Sequence, residues 1–113
     1  MTKVVSRMVE VARRTQSFDL ITSLASKNRG ARLFAYAFLY ERPDGALLLP
    51  LVDSVTRVED KPFGQYWGLQ TLKKVLPLAP TDKQREAKES LRVFSQRIPS
   101  GTDRDYELRQ LLR

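Results

Sequence analysis

Apolar residues recur three and four positions apart along most of the chain, and this spacing is typical of amphipathic helices. The clearest stripe is formed by Ala87, Leu91, Phe94 and Ile98, and it stops at the helix-breaking sequence "PSG". Turns rich in glycine and proline separate similar stripes elsewhere. The predicted helices cover about residues 4–12, 18–25, 31–41, 47–58, 62–76 and 81–98, and a last one follows Thr102.

These segments predict an all-α protein: a compact bundle of six to seven short helices, with residues 29–79 forming two successive helical hairpins like those of HEAT-like repeats. Residues 1–113 are expected to form a single domain or a fragment of a longer chain. The alternative is a β-hairpin across residues 33–55, because "RPDG" between two apolar runs also suits a hairpin turn. The alanines of the first run and Pro50 in the second favour helices.

Polar residues before several stripes predict where helices begin. Asp60 is expected to cap the helix that starts near Pro62, and Thr102 is expected to cap the last helix. Thr81 and Gln84 have the spacing of a capping box. Each of these three predictions names a side-chain hydrogen bond that a structure can test.

The helix after Pro62 has two apolar faces. Phe63, Tyr66 and Trp67 share one face, and the opposite face carries aliphatic residues together with Gly68, which would allow a close backbone approach there. The aliphatic face therefore predicts the core side. The aromatic face has two interpretations: it packs against the last two helices through Phe94 or Leu108, or it leaves Tyr66 and Trp67 as a partly exposed binding surface.

The chain contains no cysteine and no histidine. Disulfides, thiolate zinc sites, imidazole ligands, cysteine nucleophiles and histidine bases are therefore excluded. The paired carboxylates (Glu59/Asp60, Glu86/Glu89, Asp103/Asp105) are explained by helix capping and by ion pairs such as Arg85–Glu89 and Asp105–Arg109. We expect no enzyme activity, no cofactor or metal, and no small-molecule ligand. No apolar run approaches the length of a membrane span, so a cytoplasmic location is expected.

The net charge of +7 and the isoelectric point near 10.1 suggest affinity for polyanions. The alternative function is therefore a basic helical module that binds nucleic acid or regulates another protein. Residues 81–98 nevertheless carry five basic and three acidic groups mixed along one helix, which is more typical of a solvated surface. The candidate phosphate-binding residues are Arg7, Arg13, Arg14, Lys83, Lys88 and Arg92.

Three stretches, "SKNRGARLFAYAFLYERPD", "LLPLVDSVTRVEDKPFGQYWGLQTL" and "GTDRDYELRQLL", resemble the bacterial effector-associated domains. These are small helical adaptor modules of bacterial conflict systems. The positions that carry the resemblance are Arg29, Gly30, Arg32, Leu33, Ala35, Tyr36, Pro43, Asp44, Leu51, Pro62, Phe63, Tyr66, Leu69, Thr102, Asp103, Arg104 and Leu108. The resemblance implies a non-catalytic module that couples an effector to a sensor by contacts between related domains.

A module of this kind needs charges of both signs on its surface. The candidate partner-binding residues combine the aromatic pair with such charges: Tyr66, Trp67, Arg29, Arg32, Arg57, Lys73, Lys74, Asp53, Glu59 and Asp60. The expected partner is a protein or a second copy of the chain, with nucleic acid as the alternative and no membrane. Each charge has an equally simple interpretation as an ordinary solvated group.

Overall fold

The computed structural model describes residues 19–113, and within them it contains six α-helices and no strand. The helices are α1 (Leu20–Ala25), α2 (Arg29–Glu41), α3 (Leu48–Asp53), α4 (Pro62–Val75), α5 (Thr81–Ser95) and α6 (Asp103–Leu111). Short 3₁₀ turns precede α3 (Gly45–Leu47) and follow α4 (Leu76–Leu78), and a π-helical turn (Ser54–Val58) continues α3. The predicted all-α bundle is confirmed, and the β-hairpin across residues 33–55 is excluded. The predicted helix at 4–12 and the candidate residues Arg7, Arg13 and Arg14 lie outside the described residues.

Helix α4 lies between α2 and α6 and packs against both, while α1 covers α2 and α3 packs against α5. The aliphatic face of α4 is buried as predicted, with Leu69, Leu72 and Val75 fully enclosed. The stripe of α5 is confirmed for Ala87, Leu91 and Phe94, which are buried, whereas the helix ends at Ser95 and the half-buried Ile98 lies beyond it. The central contacts therefore join helices that are not consecutive in the chain, and α4 is the element on which the others assemble.

Gly68 allows α4 to approach the π-helical turn closely. A methyl group at Gly68 would overlap Cγ2 of the fully buried Val55. One turn earlier, a methyl group at Gly64 would overlap the carboxylate of Glu59. The close approach predicted at Gly68 is confirmed, and the two glycines keep the π-helical turn against the side of α4.

The helix starts agree with only one of the three capping predictions. The Thr102 hydroxyl accepts a hydrogen bond from the Asp105 amide at 3.2 Å, as expected. Asp60 does not cap α4, because the residue immediately before the helix is Lys61 and Asp60 lies one position further out. The capping box is also wrong. Thr81 is already the first helical residue, so the backbone N–H of Gln84 donates to the Pro80 carbonyl at 2.9 Å rather than to the Thr81 hydroxyl. The side-chain amide of Gln84 donates to the Ala79 carbonyl at 2.9 Å.

Candidate functional site

Trp67 is the centre of a cluster of four aromatic rings. Its ring meets those of Phe63, Tyr66 and Tyr40 edge to face, with centroid separations of 6.4, 5.7 and 6.4 Å. Tyr40 comes from α2, whereas the other three rings come from consecutive turns of α4. Edge-to-face contacts of this kind add about 0.5–1.5 kcal/mol per pair beyond simple burial. The cluster is therefore a firm part of the structure rather than a set of loose surface rings.

The outer side of this cluster is open. A groove of about 500 Å³ runs between the start of α4 and the start of α6. Tyr66 and Trp67 are half-buried, and Phe63 keeps 53% of its surface exposed. The lining residues of this aromatic groove are Pro62, Phe63, Tyr66, Trp67, Thr102, Asp103 and Arg104.

The groove leaves the aromatic face partly exposed. Phe94 and Leu108, expected as partners for burial, are core residues and do not line the groove. Its opposite wall is instead Thr102–Arg104, at the beginning of α6. Sequence reasoning missed this wall, because these residues are more than thirty positions away from Tyr66 and no local pattern connects them.

A chain of buried and half-buried polar contacts fixes the position of the Thr102–Arg104 wall of the groove. The Arg104 guanidinium donates to Oε1 of Gln65 at 2.6 Å, and the Gln65 amide donates to the Glu59 carbonyl at 3.0 Å. The Glu59 carboxylate in turn accepts two hydrogen bonds from Arg32, at 2.8 and 3.3 Å. Arg32 also donates to the Ser26 carbonyl at 2.8 Å. The polar chain thus links the end of α1 to the aromatic groove.

Arg32 and Glu59 were predicted to face a partner, and the structure corrects both predictions. Arg32 is 3% exposed and the Glu59 side chain is fully buried. The hydrogen bonds that Arg32 donates to the Glu59 carboxylate raise the pKa of the Arg32 guanidinium, which therefore stays charged. Because the two side chains form an ion pair inside the protein, neither charge is available to a partner.

The other predicted charges are scattered over the surface. Lys73 forms an ion pair with the buried Glu107 of α6, and Asp53 pairs with Arg57 at 3.3 Å. Lys74 lies 3.9 Å above the ring of Tyr40, which connects it to the Trp67 cluster. The remaining two, Arg29 and Asp60, are exposed. Of the predicted partner-binding residues, the structure therefore brings Tyr66, Trp67 and Lys74 together on one side.

Two carboxylates predicted to form ion pairs within their own helices, Asp105 and Glu89, both do so. Asp105 accepts a hydrogen bond from the Gly101 amide at 3.0 Å and pairs with Arg109 at 3.1 Å, as predicted. Glu89 pairs with Arg92 at 3.1 Å instead of with Arg85. Within residues 19–113, no group of three or more carboxylates lies close enough together to hold a metal ion. Across the same residues, no helix has both the length and the apolar character needed to cross a membrane.

Comparison with known protein families, with curated proteins and with solved structures finds no match for this chain.

Proposed function

We propose that this chain is a non-catalytic protein–protein interaction module that binds its partner through the aromatic groove. The observation that supports the proposal is the exposure of Phe63 beside the half-buried Tyr66 and Trp67 at a concave surface. Aromatic side chains dominate the binding energy of protein interfaces when they occupy well-packed pockets near the centre. An open groove with an apolar floor of three rings provides such a position.

The groove is also held in its shape before any partner arrives. Trp67 is fixed by three neighbouring rings, and Arg104 is fixed by its hydrogen bond to Gln65. The Thr102 cap holds the first turn of α6. Rigid binding surfaces lose less conformational entropy when a complex forms, so more of the contact energy becomes affinity.

The charges around the groove fit association between related domains. Asp60 and Lys61 precede the Pro62 end of the groove, and Asp103 and Arg104 line its other side. A surface with both signs can be complementary to a second surface of the same kind. Together with the resemblance to effector-associated domains, this favours a second copy of the chain, or a related domain of a bacterial conflict system, as the partner. In that setting the module would couple an effector to a sensor.

The proposal is tested with Phe63→Ala and with Tyr106→Ala as its matched control. Both side chains are exposed, at 53% and 60%, but Tyr106 lies outside the groove. Sedimentation equilibrium over a concentration series measures self-association of the intact chain. We expect Phe63→Ala to weaken the association at least about tenfold, the effect of a single interface hot spot, and Tyr106→Ala to leave it unchanged.

Two outcomes would count against the proposal. If the wild-type chain stays monomeric throughout, self-association is excluded. If, in addition, Phe63→Ala cross-links to the same proteins as the wild type in equal amounts, the groove is not a protein-binding surface.

A further inference from the structure

Helix α5 places three of its cations on one side, although basic and acidic residues are mixed along its sequence. At about 100° per residue, Arg85, Lys88 and Arg92 fall within about 60° of one another around the helix axis. These three cations line a cleft of about 230 Å³ together with Thr81 and Gln84. No carboxylate lines this basic cleft, because Glu86 and Glu89 lie in clefts on the other flank of α5, toward α3 and the π-helical turn.

The cations of the basic cleft are only weakly neutralised. Within residues 19–113, Arg85 forms no ion pair. The ammonium group of Lys88 lies 3.4 Å from the main-chain oxygen of Arg113, in an exposed contact that is longer than a typical hydrogen bond. Arg92 pairs with Glu89 through one nitrogen, in an exposed contact of the kind that contributes little. The cleft therefore presents concentrated positive charge on a protein that is already basic.

We infer that the basic cleft binds the phosphodiester backbone of nucleic acid. The cleft has no aromatic or large apolar residue in its lining. A protein partner would lack an anchor there, since interface energy comes mainly from buried apolar and aromatic groups. Phosphate binding needs no such anchor, because release of counterions from the polyanion drives it.

The dimensions and the side-chain types also fit a backbone contact. The eight residues from Arg85 to Arg92 extend about 10 Å along the helix. Duplex DNA carries one phosphate charge per roughly 1.7 Å of its axis, so this length covers several phosphates. The cleft contains no aromatic ring on which a base could stack. The inferred binding is therefore independent of nucleotide sequence, and it uses a different surface from the aromatic groove.

Fluorescence anisotropy with a labelled DNA duplex of mixed sequence, measured on the intact chain at several salt concentrations, tests this inference. Three phosphate contacts predict that affinity falls about 40-fold between 50 and 200 mM salt. The variant Arg85→Gln/Lys88→Gln/Arg92→Gln should lower the slope of log K against log salt by about one per cation removed. The control Lys27→Gln/Arg42→Gln/Lys61→Gln removes the same charge from exposed positions outside the cleft, and it should keep most of the slope.

Three results would overturn the inference. The first is failure of the duplex to bind even at the lowest salt concentration. The second is a control variant that loses as much slope as the cleft variant, because only an unspecific effect of net charge would then remain. Tighter binding of polyglutamate than of the duplex would identify an acidic protein as the ligand instead. Equal helical content of the two variants by circular dichroism establishes that a difference between them reflects the cleft.

Discussion

The buried ion pair between Arg32 and Glu59 gives the sharpest prediction on stability. Replacing Glu59 with Gln keeps the side-chain shape but leaves the Arg32 guanidinium, 3% exposed, without its counter-charge. Removing one partner of a buried pair typically costs about 3–5 kcal/mol, because the remaining charge stays desolvated. A domain of this size has a total unfolding free energy of about 5–15 kcal/mol, so Glu59→Gln should remove a large part of it. The melting temperature should fall by about 12 °C or more.

Guanidinium chloride unfolding measures this loss, followed by circular dichroism for the helices and by the fluorescence of Trp67. Agreement between the two signals establishes that the unfolding is two-state. Arg32→Met should also be strongly destabilising, since it strands the Glu59 carboxylate and frees the Ser26 carbonyl. The double variant removes both charges and should be more stable than the sum of the single losses predicts.

The double-mutant cycle provides the refutation. If the two losses add within about 0.5 kcal/mol, the side chains do not interact in the folded protein. A loss below about 1 kcal/mol in either single variant would mean that water reaches the pair and that its burial is wrong.

Three further predictions concern packing, capping and pH. Gly68→Ala should destabilise the protein by about 1–3 kcal/mol through overlap with Val55; on a Val55→Ala background the same change should be neutral or stabilising in chemical unfolding, and a loss of equal size would contradict the overlap. Thr102→Ala should cost about 1 kcal/mol by removing the α6 cap, and an unchanged unfolding midpoint would exclude that role. Burial raises the pKa of the Tyr36 phenol, so the folded state retains a proton that the unfolded state loses above about pH 10, and stability should fall from there upward. Tyr36→Phe should be less stable at neutral pH but lose less stability than the wild type between about pH 9 and 11; parallel urea-unfolding profiles would refute this.

Much of the fold follows from local patterns that operate within a few residues. The stripe of α5 and the aliphatic face of α4 were correct because each depends on one helical repeat. The close backbone approach predicted at Gly68 was also correct, because it follows from the position of the glycine on the aliphatic, buried face of α4. The capping box failed for an equally local reason: Thr81 lies one position inside the helix, so the backbone N–H of Gln84 bonds to the Pro80 carbonyl and is not available to the Thr81 hydroxyl.

The buried ion pair was missed because its partners are 27 positions apart and each resembles an ordinary surface charge. One signal was nevertheless present in the sequence. Arg32 lies three, four and seven positions before Ala35, Tyr36 and Leu39, so it shares the buried face of α2. An arginine on such a face requires a buried acceptor, but only the folded chain identifies it as Glu59.

The candidate sites likewise combine features that local sequence patterns predict with features that depend on contacts between distant residues. That Phe63, Tyr66 and Trp67 share a face follows from helical spacing, but the groove needs the start of α6, which only tertiary packing brings near. The basic cleft lies within reach of sequence reasoning, because a helical projection of residues 81–95 already places Arg85, Lys88 and Arg92 within about 60° of one another. Counting the charges along the chain, without projecting them, concealed that grouping.

The π-helical turn Ser54–Val58 has a consequence for insertions and deletions in this region. A π-helical turn holds one residue more than the α-helical turn it replaces. Deleting a single residue there would let α3 continue as a regular spiral, but it would also rotate everything after it by about 100° relative to α3. Glu59 would then point away from Arg32, and Gly64 and Gly68 would lose their matching surfaces. The extra residue thus sets the rotation of the later helices relative to α3. A protein that lacked this residue would need a different set of core contacts.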